Sequence, residues 1–225
     1  MKILIPFKDE EGSEELRYAL RSICKNFPHE VILSGDKPDW YIGEWLPVTQ
    51  NIYPTNGNRW VDAENRILTA LESGLLGDEF CLFNDDFFCL QPIEEMPAMN
   101  RGRLKPSLEH RSMYTLTQER TKRALIDLGI TNPISYELHM PMVMRTELRK
   151  ALSYTFNKKM LSGSPLLMRS MYGNLYKIES TTTNDVKDTT ANDSMMFVST
   201  SDVGWNGDIG NYIRSKFDEP CIYEK

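Results

Sequence analysis

Several familiar signatures are missing from this chain of 225 residues. It has no glycine-rich phosphate loop of the Walker or Rossmann type, so the commonest backbone cradle for a nucleotide is not written in it. No run approaches the roughly 18 apolar residues of a membrane span. The opening Met1–Phe7 is too short for a secretory leader and lacks a small-residue cleavage site; it reads as a first strand. The four cysteines, Cys24, Cys81, Cys89 and Cys221, show no paired metal-ligand spacing, which predicts reduced thiols in a cytoplasmic protein. There is no internal repeat and no heptad pattern. Histidine is scarce, with three in the chain, so each one carries weight as a site candidate.

What is present is an ordinary globular composition, 40% apolar and 26% charged, of a length that fits one domain with a real core. The net charge of −6 is unevenly spread. Residues 101–170 hold 13 Lys/Arg against 5 Asp/Glu, while the rest holds 13 against 27. A basic segment on an acidic body points to an anionic partner on one side, and the alternative is basic residues scattered over solvated helix faces.

Lys2–Phe7 reads as a strand closed by Pro6. Ser13 is a candidate N-cap with Glu14 and Glu15 in the first turn, and Leu16, Ala19, Leu20, Ile23 and Phe27 follow at helical spacing until Pro28. Glu30–Leu33 is a second strand ending in Ser34-Gly35-Asp36. This β-loop-α-β opening has the length of a parallel crossover unit. Residues 37–58 read as loop with a short strand near Trp45–Val48. A helix over Asp62–Leu76 leads to the strand Phe80–Phe83. Further helices are expected over Thr117–Leu128, Thr146–Tyr154 and Pro165–Tyr172, with an extended segment from Ile134 to Val143. Residues 180–194, rich in Thr, Asn and Asp, read as a surface loop or flap.

The densest chemical signal is Phe80–Phe88, an apolar strand that runs into Asn84-Asp85-Asp86. Adjacent carboxylates repel each other and are costly to bury unpartnered. At a strand end such a pair suits a hard divalent cation that also holds substrate phosphates. Glu137 and His139, two apart in the extended segment, would share one face and fit metal or acid–base work. Met140, Met142 and Met144 read as core filler. Trp40, Tyr41, Trp45 and Tyr53 are candidates for base or sugar stacking.

Three segments together carry a resemblance: Glu15–Ile23 followed by Val31–Asp36, then Leu82–Phe88, then Glu137–Pro141. Over roughly residues 2–145 the chain resembles nucleotide-sugar glycosyltransferases of the GT-A fold. The likeness is closest to bacteriophage glycosyltransferases and to the Stealth family of sugar-phosphate transferases. The resemblance implies an α/β fold, a Rossmann-like, mostly parallel sheet with flanking helices and an irregular, α-rich C-terminal part. It implies a single domain over 1–225, with 1–100 the nucleotide-sugar and metal half and 101–225 the acceptor half. The implied activity is metal-dependent hexosyl or pentosyl transfer from a UDP-type sugar, with Mn²⁺ or Mg²⁺, to an acceptor hydroxyl. That acceptor would be a hydroxymethylated base of phage DNA, a glycan or a protein. No membrane partner is implied, and the setting would be the host cytoplasm for a phage-encoded chain.

The family's Asp-X-Asp motif stands here as Asn84-Asp85-Asp86, with Asn in the first place and Asp86 at the metal position. Asn84 and Asp85 would lie against the donor. Pro6, Phe7, Ser34, Gly35 and Asp36 would frame base and ribose. Arg17, Arg21 and Arg66 are the candidates for phosphate oxygens. His139 would be a second metal or diphosphate ligand. Glu137 and His139 would be catalytic, with Asp193 and Asp202 as other carboxylates able to take a hydroxyl proton. The same motifs serve a sugar-1-phosphate transferase acting on a polysaccharide, and a non-catalytic nucleotide- or glycan-binding module is the third reading.

Overall fold

A computed structural model describes residues 1–9, 14–48, 58–106, 112–162 and 166–225, with the backbone alone for 58–60 and 156–162. Ser13 and Tyr53 lie outside the described residues, and so do the side chains of Lys158 and Lys159. In chain order the elements are β1 (Lys2–Phe7), α1 (Glu14–Asn26), β2 (Glu30–Gly35), β3 (Glu44–Pro47), α2 (Asn58–Ser73), β4 (Glu79–Leu82), β5 (Phe87–Cys89), β6 (Met99–Asn100), α3 (Met113–Asp127), β7 (Met142–Arg145), α4 (Leu148–Ser162), α5 (Met168–Leu175), β8 (Thr181–Thr182), β9 (Phe197–Ser199), α6 (Asp202–Trp205) and α7 (Asp208–Lys216).

The central sheet has the order β3-β2-β1-β4-β7. β1 to β4 run parallel and β7 is antiparallel to β4. The mostly parallel α/β architecture expected from the sequence is thus the one observed. Its strands are apolar on both faces, as parallel strands covered by helices must be. Ile3, Ile5, Phe7, Val31, Leu33 and Cys81 face one layer, where α1 contributes Leu16, Leu20 and Ile23. Leu4, Ile32, Phe80 and Leu82 face the other, packed by Ile67 and Leu71 of α2, Leu148 and Leu152 of α4 and Met171 of α5. The strand period of two therefore divides one buried run between two cores. Met140, Met142 and Met144 are buried in these layers.

β5 and β9 form a small antiparallel ribbon beside α1. Ser22 Oγ accepts the Cys89 N–H at 3.1 Å, and Asn26 Nδ2 donates to the Cys89 carbonyl at 2.6 Å. The ribbon's outer face packs on α6 and α7, where the Phe88 and Trp205 rings stack at 5.8 Å.

Two expected elements have other bounds. Of the extended segment Ile134–Val143 only the end, from Met142, joins the sheet as β7, while Ile134 makes an isolated antiparallel bridge to Arg103. Side chains of α5 take up some of the segment's backbone groups: Asn174 bonds both the N–H and the carbonyl of Ile134, at 2.9 and 2.7 Å, and Ser170 Oγ accepts the Tyr136 N–H at 3.0 Å. Backbone bonds to residues 101–104 meet others: the Ser135 N–H donates to the Gly102 carbonyl at 2.9 Å and the Arg101 N–H to the Ser135 carbonyl at 2.8 Å. The helix expected from Thr117 starts at Met113, where Ser112 Oγ caps the Thr115 N–H at 3.1 Å.

Candidate functional site

The strand order reverses between β1 and β4, because the chain steps outward from β1 to β2 and β3 before returning on the other side. Open α/β sheets bind ligands at such a switch point, outside the carboxyl ends of the strands. Pro6 helps to open it. It shares the pleat parity of Leu4, whose carbonyl accepts the Phe83 N–H at 2.9 Å, so its ring nitrogen faces β4 with no proton to offer. The β1–β4 register ends at Leu4↔Leu82, and the strands part without leaving a donor unmet. The opening is a cavity of about 320 Å³. Pro6, Asn84 and Asp85 form one wall, Glu64 of α2 a second, and Glu137, His139 and Arg169 a third.

The third wall is held from behind. Arg169, only 7% exposed, donates from Nη1 to the carbonyls of Leu138 at 3.2 Å and Met140 at 2.6 Å. Glu137 Oε1 accepts the Ser170 N–H at 2.9 Å and its hydroxyl at 3.0 Å. Burial pushes the Glu137 carboxyl above its ordinary range, and Arg169 and Ser170 pull it back only in part. Burial pushes the Arg169 guanidinium down, against the attraction of Glu137. Tyr114, also on the cavity, has its hydroxyl pushed up to about 12, first by burial and then by Glu137.

His139 lies at the rim with its ring 38% exposed. Its Nδ1 is 2.8 Å from Asp185 Oδ2, and its backbone N–H donates to Asp185 Oδ1 at 2.9 Å. Arg101 Nη1 stands 3.4 Å from the same carboxylate. Burial works to raise the Asp185 carboxyl, but the two His139 bonds and Arg101 outweigh it and hold it at about 2.

Beside the cavity a second group of expected residues meets. Ser34 Oγ donates to the Arg66 carbonyl at 2.8 Å. Gly35 has φ +123°, and a Cβ there would meet the Phe7 carbonyl and the Arg66 side chain. Trp45 Nε1 donates to the Gly35 carbonyl at 2.9 Å, and Lys37 lies over its ring at 5.7 Å. Asp36 Oδ2 accepts the Asp9 N–H at 2.9 Å. Phe7 itself is a core side chain, and its carbonyl accepts the Asp36 N–H at 3.0 Å.

Other expected residues are placed elsewhere. Arg17 is not at the cavity: it pairs with Glu224 at 3.4 Å and lies over the Trp40 ring at 4.5 Å, on the α1 layer. Arg21 is bound to Glu224 as well. Tyr41 is a fully buried core residue stacked on Tyr223, which removes it as a stacking platform. Asp193 pairs with Lys216 and Tyr212 beside α7, and Asp202 is exposed at the start of α6. Neither lines the cavity.

The expected metal ligands have other partners. Asp86 Oδ2 accepts the Ser199 hydroxyl at 2.9 Å and pairs with Lys187 at 3.3 Å, while His139 is bound to Asp185. Asp86 does not line the cavity, and among the described residues no three His, Cys, Asp or Glu group so as to hold an ion. An ammonium beside Asp86 occupies the place a divalent cation would need, so this donor set as arranged does not fit resident Mn²⁺ or Mg²⁺.

The charge of residues 101–170 is divided as well. Arg101 faces Asp185, Arg145 faces Glu79 at 3.5 Å, Arg149 donates to the Leu71 carbonyl at 2.6 Å and Arg169 is internal.

Sequence reasoning missed Arg169, Asp185, Glu64 and Tyr114. A lone arginine inside the apolar run Leu166–Met171 was a usable signal, since a buried charge demands partners. Asp185 had none, being one acid in a polar stretch.

The fold is thus that of a mostly parallel α/β protein with a cavity at its topological switch point. No known protein family matches the chain, and no curated protein matches it. Among solved structures, it is similar to a glycosyltransferase involved in the glycosylation of the major capsid of PBCV-1. That match has a TM-score of 0.43 and 8% identity over 96% of this chain and 98% of the other. It is also similar to the glycosyltransferase GlyE of Streptococcus pneumoniae TIGR4, with a TM-score of 0.42 and 10% identity over 96% of this chain. The chain spans about half the length of that second protein, 49% of it. Likeness of this degree carries no argument about activity. No helix among the described residues is long and apolar enough to cross a membrane.

Proposed function

We propose that the chain is a glycosyltransferase that moves a sugar from a nucleoside diphosphate sugar to an acceptor hydroxyl. The observation that carries this reading is the cavity at the β1/β4 reversal, where Asn84-Asp85 faces Glu137 and His139. The resemblance of these same segments to nucleotide-sugar enzymes supports it. In this reading Ser34, Gly35 and Arg66 take the nucleotide end of the donor, and the cavity takes the sugar. The acceptor oxygen attacks the anomeric carbon, the bond from that carbon to the diphosphate oxygen breaks, and the hydroxyl proton passes to His139 Nε2. The Glu137 carboxylate, fixed by Ser170, faces the charge that builds on the sugar ring. Positioning of this kind supplies much of a transferase's rate.

The test is a panel of sugar nucleotides incubated with the protein, with and without candidate hydroxyl acceptors. Release of a nucleoside diphosphate is expected from one donor. Release of the monophosphate instead would make the chain a sugar-1-phosphate transferase. Neither product, together with no nucleotide raising the melting temperature at millimolar concentration, would overturn the reading and leave a binding module of another kind.

A further inference from the structure

We infer that Asp185 is a positioning residue that fixes His139 as its Nδ1–H tautomer and leaves the Nε2 lone pair for the cavity. The inference rests on the geometry of the Asp185 carboxylate, and its kinetic consequence rests on the glycosyltransferase reading above.

Among the described residues, the carboxylate's contacts other than that with the imidazole are all with donors. Oδ1 accepts the N–H of His139 and the N–H of Val186, both at 2.9 Å. Oδ2 lies 2.8 Å from His139 Nδ1 and 3.4 Å from Arg101 Nη1. An ionised carboxylate accepts only, so the proton between Nδ1 and Oδ2 belongs to Nδ1. A neutral imidazole has one N–H, and Nε2 is therefore the acceptor nitrogen. His139 lines the cavity and Asp185 does not, so with Nδ1 held at Asp185 the Nε2 edge is the one left to meet a ligand there. Among the described residues no hydrogen bond to Nε2 is found.

The orientation is over-determined. The same carboxylate grips the imidazole and the backbone of one residue, closing a small ring that limits both the χ angles of His139 and the path of the chain at 139. Arg101 adds a cationic partner to the same carboxylate, at 3.4 Å. A segment that is loop by sequence, residues 180–194, thus delivers the group that orients a residue 46 positions earlier.

Asp185 touches neither the cavity nor the reacting atoms, so its role would run through His139. The experiment is a long-range ¹H–¹⁵N correlation of the histidine rings in the ¹⁵N-labelled full chain, recorded where the imidazole is neutral. His139→Gln assigns the signal among three histidines. The wild type should show Nδ1 protonated and Nε2 unprotonated at His139. Asp185→Ala should shift that ring toward the Nε2–H form. A wild-type Nε2–H ring would overturn the inference without any variant, and so would a folded Asp185→Ala protein with an unchanged ring. These spectra need no donor, so they stand or fall apart from the transferase reading. With the active donor identified, Asp185→Ala should lower kcat about 100-fold, the low end for a mispresented base, while KM for the donor stays within about twofold. Loss of donor affinity with unchanged kcat would count against positioning.

Discussion

The Arg21 guanidinium and the Glu224 carboxylate meet at two points, 2.7 and 2.8 Å apart, although 203 residues separate them in the chain. Arg21 also donates from Nη1 to the carbonyls of Phe217 and Asp218, both at 3.0 Å. Both charged side chains are almost fully buried, so removing one partner strands the other. Glu224→Gln should cost about 3 kcal/mol of stability at neutral pH. Burial works to raise the Glu224 carboxyl, but Arg21, the Cys221 N–H and Arg17 outweigh it and leave it below the ordinary range. Its contribution is therefore complete above the unfolded value of about 4.3 and is lost as pH falls through the folded one. Urea unfolding of wild type and variant should show a gap at pH 7 that narrows at acid pH. A gap independent of pH would remove the ion pair as its cause.

Gly35 is needed for its backbone. Gly35→Ala would hold an L residue at φ +123° with its methyl against the Phe7 carbonyl and Arg66. A cost of about 1–3 kcal/mol is expected from the strained conformation alone. Displacement of Arg66 should also abolish the melting-temperature rise given by the donor nucleotide. A variant as stable and as responsive as wild type would show that this corner is loose.

Arg169 holds the cavity wall by its carbonyl contacts. Arg169→Ala leaves the Leu138 and Met140 carbonyls buried without that donor and Glu137 without its nearest cation. Each unmet group costs about 1–3 kcal/mol, so a total near 3 kcal/mol is expected. Limited proteolysis should then open the chain between 134 and 141 first. Uniform loss of protection across the molecule would make Arg169 a general core residue instead.

Lys187 competes with any cation for Asp86. Titration with Mn²⁺ in the absence of nucleotide, followed by water-proton relaxation, should show no saturable binding tighter than about 1 mM. Micromolar binding that is lost in Asp86→Ala would mean that Lys187 gives way to the ion.

Duplex DNA is expected to bind weakly, because Arg169 is buried and the exposed Arg101, Arg145 and Arg149 already have partners within the chain. The fall of binding with salt should be shallower than that of a protein neutralising six or more phosphates, whose log–log slope is about −0.9 per phosphate. A steeper slope, with transfer to hydroxymethylated DNA reduced by charge reversal at exposed Arg123 and Lys150, would put a DNA acceptor first.

The sheet was legible wherever a strand was apolar on both faces and followed an amphipathic helix, as in β1, α1, β2 and β4. Those patterns are local. The β5–β9 ribbon and the packing of residues 217–224 on α1 were not legible, because each pairs short segments more than a hundred residues apart and neither has a period of its own. At the site, Asn84-Asp85 and His139 stood out because acids at an apolar strand end and a rare histidine are chemically costly to place by chance. The segment around Glu137 reads as extended, but its partners, Ser170 and Asn174 of α5 and the backbone of 101–104, carry no pattern that sequence could show. The sequence points to Asp86 for the metal and Asp85 for the donor, but Lys187, the partner that holds Asp86, lies 101 positions away and leaves no local sign.

The Val31 N–H in β2 is bonded to the hydroxyl of Tyr223, 192 residues later, at 2.9 Å. During synthesis, β1, α1 and β2 emerge together and can form their crossover unit early. The amide at 31 and the guanidinium of Arg21 must then stay with water until residues 217–224 leave the ribosome, many seconds later at ordinary elongation rates. The β1–β2 pair is thus finished by a segment made 192 residues later, and the nascent chain carries an incomplete seam that a chaperone, or a wrong partner, has time to find.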